Sequence, residues 1–235
     1  MNFEVLADAD SVARRAAAVI AAEARVAVAA RGRFLLAVSG GRTPWVMLRA
    51  LADEDVPWPY VHVFQVDERV APAGHQERNL AHLAASLLAH APLPPAQLHA
   101  MPVEWTDLEE AAARYARTLE EHAGLPVVLD VVHLGLGPDG HTASLVPGDA
   151  VLNVSDADVS VTGVYQARRR MTLTYPVLDR ARGILWLVTG GDKAAMLPRL
   201  LAADLSIPAG RVQQARALVL ADRAASIPTE RPTGL

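Results

Sequence analysis

Residues Val127–Ser144 read VVLDVVHLGLGPDGHTAS. Val127–Leu134 is an apolar run of strand length, the pattern of a strand buried on both faces of a parallel sheet. It ends in a loop carrying Gly135, Gly137 and Gly140, which can turn tightly and let a ligand approach its backbone. Working outward, similar apolar runs recur at Phe34–Val38, Val61–Val66, Met171–Thr174, Ile184–Val188 and Ala217–Leu220, with a shorter one at Phe3–Leu6. Helix-like segments lie between them. Ser11–Ala30 starts at an N-cap of Asp10 or Ser11, and Trp45–Leu51, Asn79–Ala89, Leu108–His122 and Lys193–Ala203 follow. In Leu108–His122, Glu110/Arg114 and Arg117/Glu121 stand four apart and are expected to pair. Apolar strands alternating with helices predict a layered α/β fold with a mostly parallel central sheet.

The chain has 235 residues without an internal repeat, linker or shift in composition, so a single domain over 1–235 is expected, with Ile227–Leu235 as a frayed tail. With 51% hydrophobic and 20% charged residues there is apolar material for a sizeable core. A net charge of -4 argues against a nucleic-acid-coating surface or a polybasic membrane anchor. The longest stretch free of Asp, Glu, Lys and Arg, Asn79–Val103, holds Pro92, Pro94, Pro95 and Pro102 and cannot be one spanning helix. Glu4, Asp8 and Asp10 stand where a signal peptide would be basic. Cysteine is absent, which excludes a disulfide framework, a thiolate metal site and a cysteine nucleophile and fits a reducing cytoplasm. Of the 22 basic residues only Lys193 is lysine. One compact ammonium among so many guanidinium forks points to a position where arginine will not serve.

Ligands of open α/β sheets bind beyond the carboxyl ends of the strands, so the residues after each strand are where chemistry is expected. After Phe34–Val38 comes Ser39-Gly40-Gly41-Arg42-Thr43-Pro44, with Thr43 as a helix cap and Pro44 in the first turn. That makes a helix N-terminus suited to an anion. After Val61–Val66 comes Asp67-Glu68-Arg69, either a solvated loop or a site. After Val127–Leu134, the glycines match the dinucleotide pattern G-x-G-x-x-G. However, Asp139 would face a pyrophosphate and Pro147-Gly148 stops the helix such a site needs. What remains is a loop presenting Asp139 and His141, a candidate general base with an orienting carboxylate. After Ile184–Val188 comes Gly190-Gly191-Asp192-Lys193, with Asp192 expected to cap a helix and Lys193 to meet an anion. Arg168-Arg169-Arg170 adds a basic cluster. No H-E-x-x-H is present, and His62, His75, His82, His90, His99, His122 and His133 lack ligand spacing, so no metal is expected. These parts together describe an enzyme acting on a small phosphorylated metabolite.

In this order the motifs resemble the 6-phosphogluconolactonase family, within a superfamily shared with glucosamine-6-phosphate deaminase. The resemblance rests on Ser39–Pro44, Asp67–Arg69, Asn79, Gly135–Ser144 with Pro147-Gly148, Arg170–Thr174 and Gly190–Lys193. It implies an α/β/α fold with a Rossmann-like sheet. It also implies hydrolysis of 6-phospho-D-glucono-1,5-lactone to 6-phospho-D-gluconate, the second step of the oxidative pentose phosphate pathway, without a cofactor. By the same resemblance His141 is the general base on water, oriented by Asp139 or Asp67. Asp67 and Arg69 belong to the active site. Ser39, Gly40, Gly41, Arg42, Thr43, Asn79, Arg170 and Lys193 bind substrate or its phosphate, with Arg170 preferred over Arg168 and Arg169. The family often has Ser before the Asn, where this chain has Arg78. The expected protein is cytoplasmic, a monomer or homodimer, with a sugar phosphate as its partner and neither nucleic acid nor membrane. Two other readings compete. An amino-sugar-phosphate deaminase would carry Glu five residues after the histidine, where this chain has Val146. A non-catalytic sugar-phosphate-binding protein would usually add a further domain.

Overall fold

The computed structural model describes residues 1–226. The expected frayed tail, Ile227–Leu235, lies outside the described residues. In chain order the elements are β1 (Asn2–Leu6), α1 (Ala9–Arg31), β2 (Phe34–Val38), α2 (Arg42–Leu51), β3 (Val61–Gln65), β4 (Asp67–Arg69), α3 (Asn79–Leu83), β5 (Leu98–His99), α4 (Leu108–Ala123), β6 (Val131–Gly135), β7 (Val159–Val161), β8 (Arg170–Leu173), α5 (Tyr175–Arg180), β9 (Gly183–Val188), α6 (Leu197–Leu201), α7 (Pro208–Arg211) and β10 (Ala217–Asp222). Seven strands form a parallel sheet in the order β1-β10-β9-β6-β2-β3-β5. β4, β8 and β7 form a second, antiparallel sheet, so the run expected at Met171–Thr174 is not part of the parallel one.

The period-two alternation of a strand divides the core in two. Phe34, Leu36 and Val38 of β2 pack with α1 and α2, while Leu35 and Ala37 face the layer of α4 and α5. Trp186 faces the second layer and Leu185 and Leu187 the first. In α1 the buried face is Val12, Ala13, Ala16, Ala17, Ile20, Ala21, Ala24 and Ala27, a helical stripe small enough for close approach to the sheet. Asp8, not Asp10 or Ser11, caps this helix by accepting from the Ser11 N–H at 2.7 Å.

Other boundaries shift for identifiable reasons. The run Val127–Leu134 enters the sheet only at Val131, because the Asp130 carboxylate takes the Leu35 N–H at 2.9 Å in place of a ladder bond. Lys193–Ala203 is not one helix. Pro198 has no N–H to continue a helix and sits in the first turn of α6 instead. Asn79–Ala89 is helical but widens into a π-helical turn at Ala84–Leu88. On α4, Arg117 pairs with Glu110 at 2.8 Å, and neither pair expected four residues apart forms an ion pair. No described helix is long and apolar enough to cross a membrane.

Candidate active site

The parallel sheet reverses its order at β2, which has β3 on one side and β6 on the other. The segments leaving the two carboxyl ends diverge there and open a crevice. A cavity of ≈ 780 Å³ fills it. Ser39, Gly40, Gly41, Arg42 and Thr43 line it from the β2 end, Asp67, Arg69 and Asn79 from the β3 side with Arg170 on the strand paired to β4, and His141 and Lys193 from the loops opposite. Asp139 does not line the cavity but touches a residue that does.

That residue is His141. Asp139 Oδ1 accepts from the His141 backbone N–H at 3.1 Å and lies 2.5 Å from the imidazole Nδ1. A carboxylate at Nδ1 keeps the proton there and leaves Nε2 as a free acceptor. Burial pushes the Asp139 carboxyl up, but the His141 N–H and imidazole outweigh it and hold the carboxyl below its usual value. The imidazole packs over Gly137, where a Cβ would come within 2.1 Å of Nδ1, so only glycine fits. Tyr165, which nothing in the sequence singles out, donates its OH to Asp139 Oδ2 at 3.2 Å and sets its ring edge against the imidazole.

Asp67 is held by a different set. Ser144 Oγ donates to its Oδ2 at 2.7 Å, and Asn79 Nδ2 donates to its backbone oxygen at 3.0 Å. Of the two carboxylates expected to orient His141, the bond to the ring therefore comes from Asp139. Asn79 also accepts from Arg69 at 3.0 Å, so one amide links Asp67 to Arg69. It packs against Gly40, where a Cβ would lie 2.1 Å from its Oδ1. Glu68, the middle of the Asp-Glu-Arg triplet, is fully buried and is no solvated loop residue. It accepts from the backbone N–H groups of Arg69, Asn79 and Leu80 at 2.7–2.8 Å and pairs with Arg78 at 3.1 Å. Arg78 therefore occupies its position as the buried counter-ion of Glu68.

The three consecutive arginines separate. Arg168 pairs with Glu77 and Arg169 with Glu109. Arg170, buried at 5% exposure, forms no ion pair among the described residues, and its Nε has no hydrogen-bond partner. Its guanidinium stacks over Tyr165 at 5.0 Å and donates to Gln166 at 3.0 Å. Burial and the neighbouring Arg69 hold its pKa below the usual arginine value, against the pull of Asp67.

The glycine loop after β2 is anchored from below. Ser39 donates its N–H to His133 Nδ1 at 3.2 Å and its hydroxyl to the His133 carbonyl at 3.1 Å. Gly41, not Thr43, is the N-cap of α2, and no side chain caps it. Thr43 instead shares a hydrogen bond with Thr189 at 2.6 Å. The first turn of α2 thus keeps unpaired N–H groups, the arrangement that suits an anion. Across the cavity, Asp192 does not cap a helix. It pairs with Lys193 at 2.9 Å, while Asp222 holds the Gly190 N–H at 3.1 Å. Val146 is buried and away from the cavity wall.

Comparison with known proteins agrees with this geometry. Residues 7–220 match the family described as glucosamine-6-phosphate isomerases/6-phosphogluconolactonase. The 6-phosphogluconolactonase of Synechocystis is 34% identical over 86% of this chain and 86% of its own. That of Mycobacterium tuberculosis is 36% identical over 97% and 99%. The crystal structure of 6-phosphogluconolactonase from Thermotoga maritima superposes with a TM-score of 0.83 at 26% identity, covering 94% of this chain and 98% of that one. A cavity at the strand switch, a carboxylate-held histidine and an unpaired arginine thus sit in a chain that belongs to the glucosamine-6-phosphate isomerase/6-phosphogluconolactonase family.

Proposed function

We propose that this protein hydrolyses 6-phospho-D-glucono-1,5-lactone to 6-phospho-D-gluconate in the oxidative pentose phosphate pathway. The observation that carries the reading is Arg170, a buried guanidinium without a carboxylate partner among the described residues, on the wall of the cavity that holds His141. A phosphate supplies the missing charge. With the open first turn of α2 and Lys193 it fixes one end of the substrate, and the ring is thereby held near His141.

The chemistry is redox-neutral. His141 Nε2 takes a proton from water as its oxygen bonds to C1 of the lactone. Negative charge moves to the carbonyl oxygen, where backbone N–H groups of a glycine loop or Arg69 stabilise it. The tetrahedral intermediate collapses, the C1–ring-oxygen bond breaks, and the leaving oxygen receives the proton from the imidazolium. Asp139 keeps the imidazole in the tautomer this needs and offsets its positive charge between the two transfers.

The deciding assay follows the decay of freshly generated lactone with and without purified protein. Acceleration over spontaneous hydrolysis is expected, and its absence removes the reading. Ammonia release from glucosamine 6-phosphate separates the amino-sugar alternative. None is expected, because Val146 carries no carboxylate and lies off the cavity. A cysteine-free enzyme of this pathway belongs in the cytoplasm, as a monomer or homodimer.

A further inference from the structure

Away from this cavity the fold gathers three histidines that are far apart in sequence. His62 is the second residue of β3, His99 ends the short edge strand β5, and His122 lies in the last turn of α4. One ring nitrogen from each lies within 4.8 Å of the others, and His62 Nδ1 and His99 Nε2 are 3.0 Å apart. All three are half-buried. His62 sits near the amino end of β3, whereas the cavity opens beyond its carboxyl end. The reaction proposed above makes no use of the three histidines.

We propose that His62, His99 and His122 form a binding site for a late first-row transition-metal dication, with zinc as the reference ion. Three imidazoles and no carboxylate are a donor set for Zn²⁺, Co²⁺, Ni²⁺ or Cu²⁺ and a poor one for Mg²⁺ or Ca²⁺. Zinc–nitrogen bonds of about 2.0–2.1 Å place tetrahedral ligand atoms about 3.4 Å apart. His62 Nδ1 and His99 Nε2, 3.0 Å apart, lie close to that spacing, and rotation of the side chains brings in the third. Half-burial leaves a fourth position for water, the three-histidine-plus-water pattern of open zinc sites.

When His62 Nδ1 and His99 Nε2 both bind the ion, the N–H they share moves to the outer nitrogen of its own ring. The Phe64 ring stacks on His99 at 4.4 Å and Tyr115 donates to the His99 carbonyl at 3.2 Å, so this ligand is held in place before the ion arrives. A bound ion ties the two-residue edge strand β5 to β3 and to the end of α4.

The test uses untagged full-length protein freed of metal with a chelator. Cobalt titration should show the visible bands of four-coordinate Co²⁺ saturating at one ion per chain. Zinc at about a hundred times its Kd should raise Tm by roughly 5–10 °C. His99→Ala and His122→Gln should each weaken binding by more than about tenfold, the loss that even an outer partner of a ligand can cause. Glutamine suits the last turn of α4, so His122→Gln should keep the wild-type Tm in chelator. His141→Ala should bind as the wild type does, which separates this site from the catalytic cavity. Absence of binding, binding unchanged in both cluster variants, or binding lost in His141→Ala overturns the proposal. None of these outcomes depends on lactone hydrolysis.

Discussion

Arg69 and Arg170 stand directly opposite one another on the antiparallel strands β4 and β8. Like charges at such cross-strand positions destabilise a sheet. Neither guanidinium has an ion-pair partner among the described residues, and the charge of Arg69 helps to hold Arg170 below its usual pKa. Asp67, on the same strand as Arg69, offsets part of the repulsion. The neighbouring strand positions are organised around this cost. Glu68 fixes the backbone of Arg69 and Asn79, and Asn79 fixes the Arg69 side chain. A phosphate clamped by Arg170, as proposed above, would offset this repulsion.

Arg170→Met tests the clamp, because it keeps most of the stem and removes the charge. A hydrogen bond to a charged group contributes about 1.5–3 kcal/mol, so kcat/KM should fall about ten- to a hundred-and-fifty-fold, mainly through KM. Unphosphorylated gluconolactone should lose little. The unliganded variant should be at least as heat-stable as the wild type, since a desolvated and repelled cation has gone. Lys193→Ala should cost less than Arg170→Met, because Asp192 already partly neutralises the ammonium. Equal proportional losses on both lactones would assign Arg170 to the chemical step.

His141→Ala should lower kcat by about 10²–10⁴, the usual contribution of a general base, with thermal unfolding unchanged. Asp139→Asn should reduce kcat by a smaller factor, since it loosens the tautomer without deleting the base. Tyr165→Phe removes only the hydrogen bond to Asp139 and should cost roughly two- to twelvefold. The order His141, Asp139, Tyr165 is the outcome to check by steady-state kinetics. A Tyr165→Phe loss as large as that of His141→Ala would give Tyr165 a direct part in the reaction.

Much of this was legible in the sequence where local pattern and local chemistry coincide. β2 spans the predicted Phe34–Val38, and the glycine loop after β6 presents Asp139 beside His141 as two-residue spacing implies. What stayed hidden depends on partners brought in from elsewhere in the chain. Glu68 reads as one of three charges of either a solvated loop or a site until Arg78 and three backbone N–H groups are placed around it. Tyr165 reaches Asp139 only because the Tyr165–Arg168 turn before β8 brings it there. His62, His99 and His122 have no motif spacing because two strands and a helix supply one residue each. The choice of Arg170 over its two neighbours follows from where Glu77 and Glu109 lie.

His133 supports the loop of Ser39 from inside the sheet. It is fully buried, its Nδ1 accepts the Ser39 N–H, and the proton on Nε2 has no partner among the described residues. Burial pushes its pKa down to about 3, whereas an unfolded histidine titrates near about 6.5. Below pH ~6.5 the unfolded chain therefore binds a proton that the folded chain refuses. The contribution to stability is complete above that pH and is lost progressively as pH falls towards the folded value. At about 1.4 kcal/mol per pH unit, the loss at pH ~5 is on the order of 2 kcal/mol. His133→Asn keeps an acceptor near the Nδ1 position and cannot titrate. It leaves a small cavity, so the variant should be less stable at neutral pH. Its stability should nevertheless fall less steeply between pH ~6.5 and ~4, by about one bound proton. Urea unfolding across that range measures the slope directly. Parallel curves for variant and wild type would mean that His133 accepts a proton in the folded state, and the neutral support for Ser39 would be wrong.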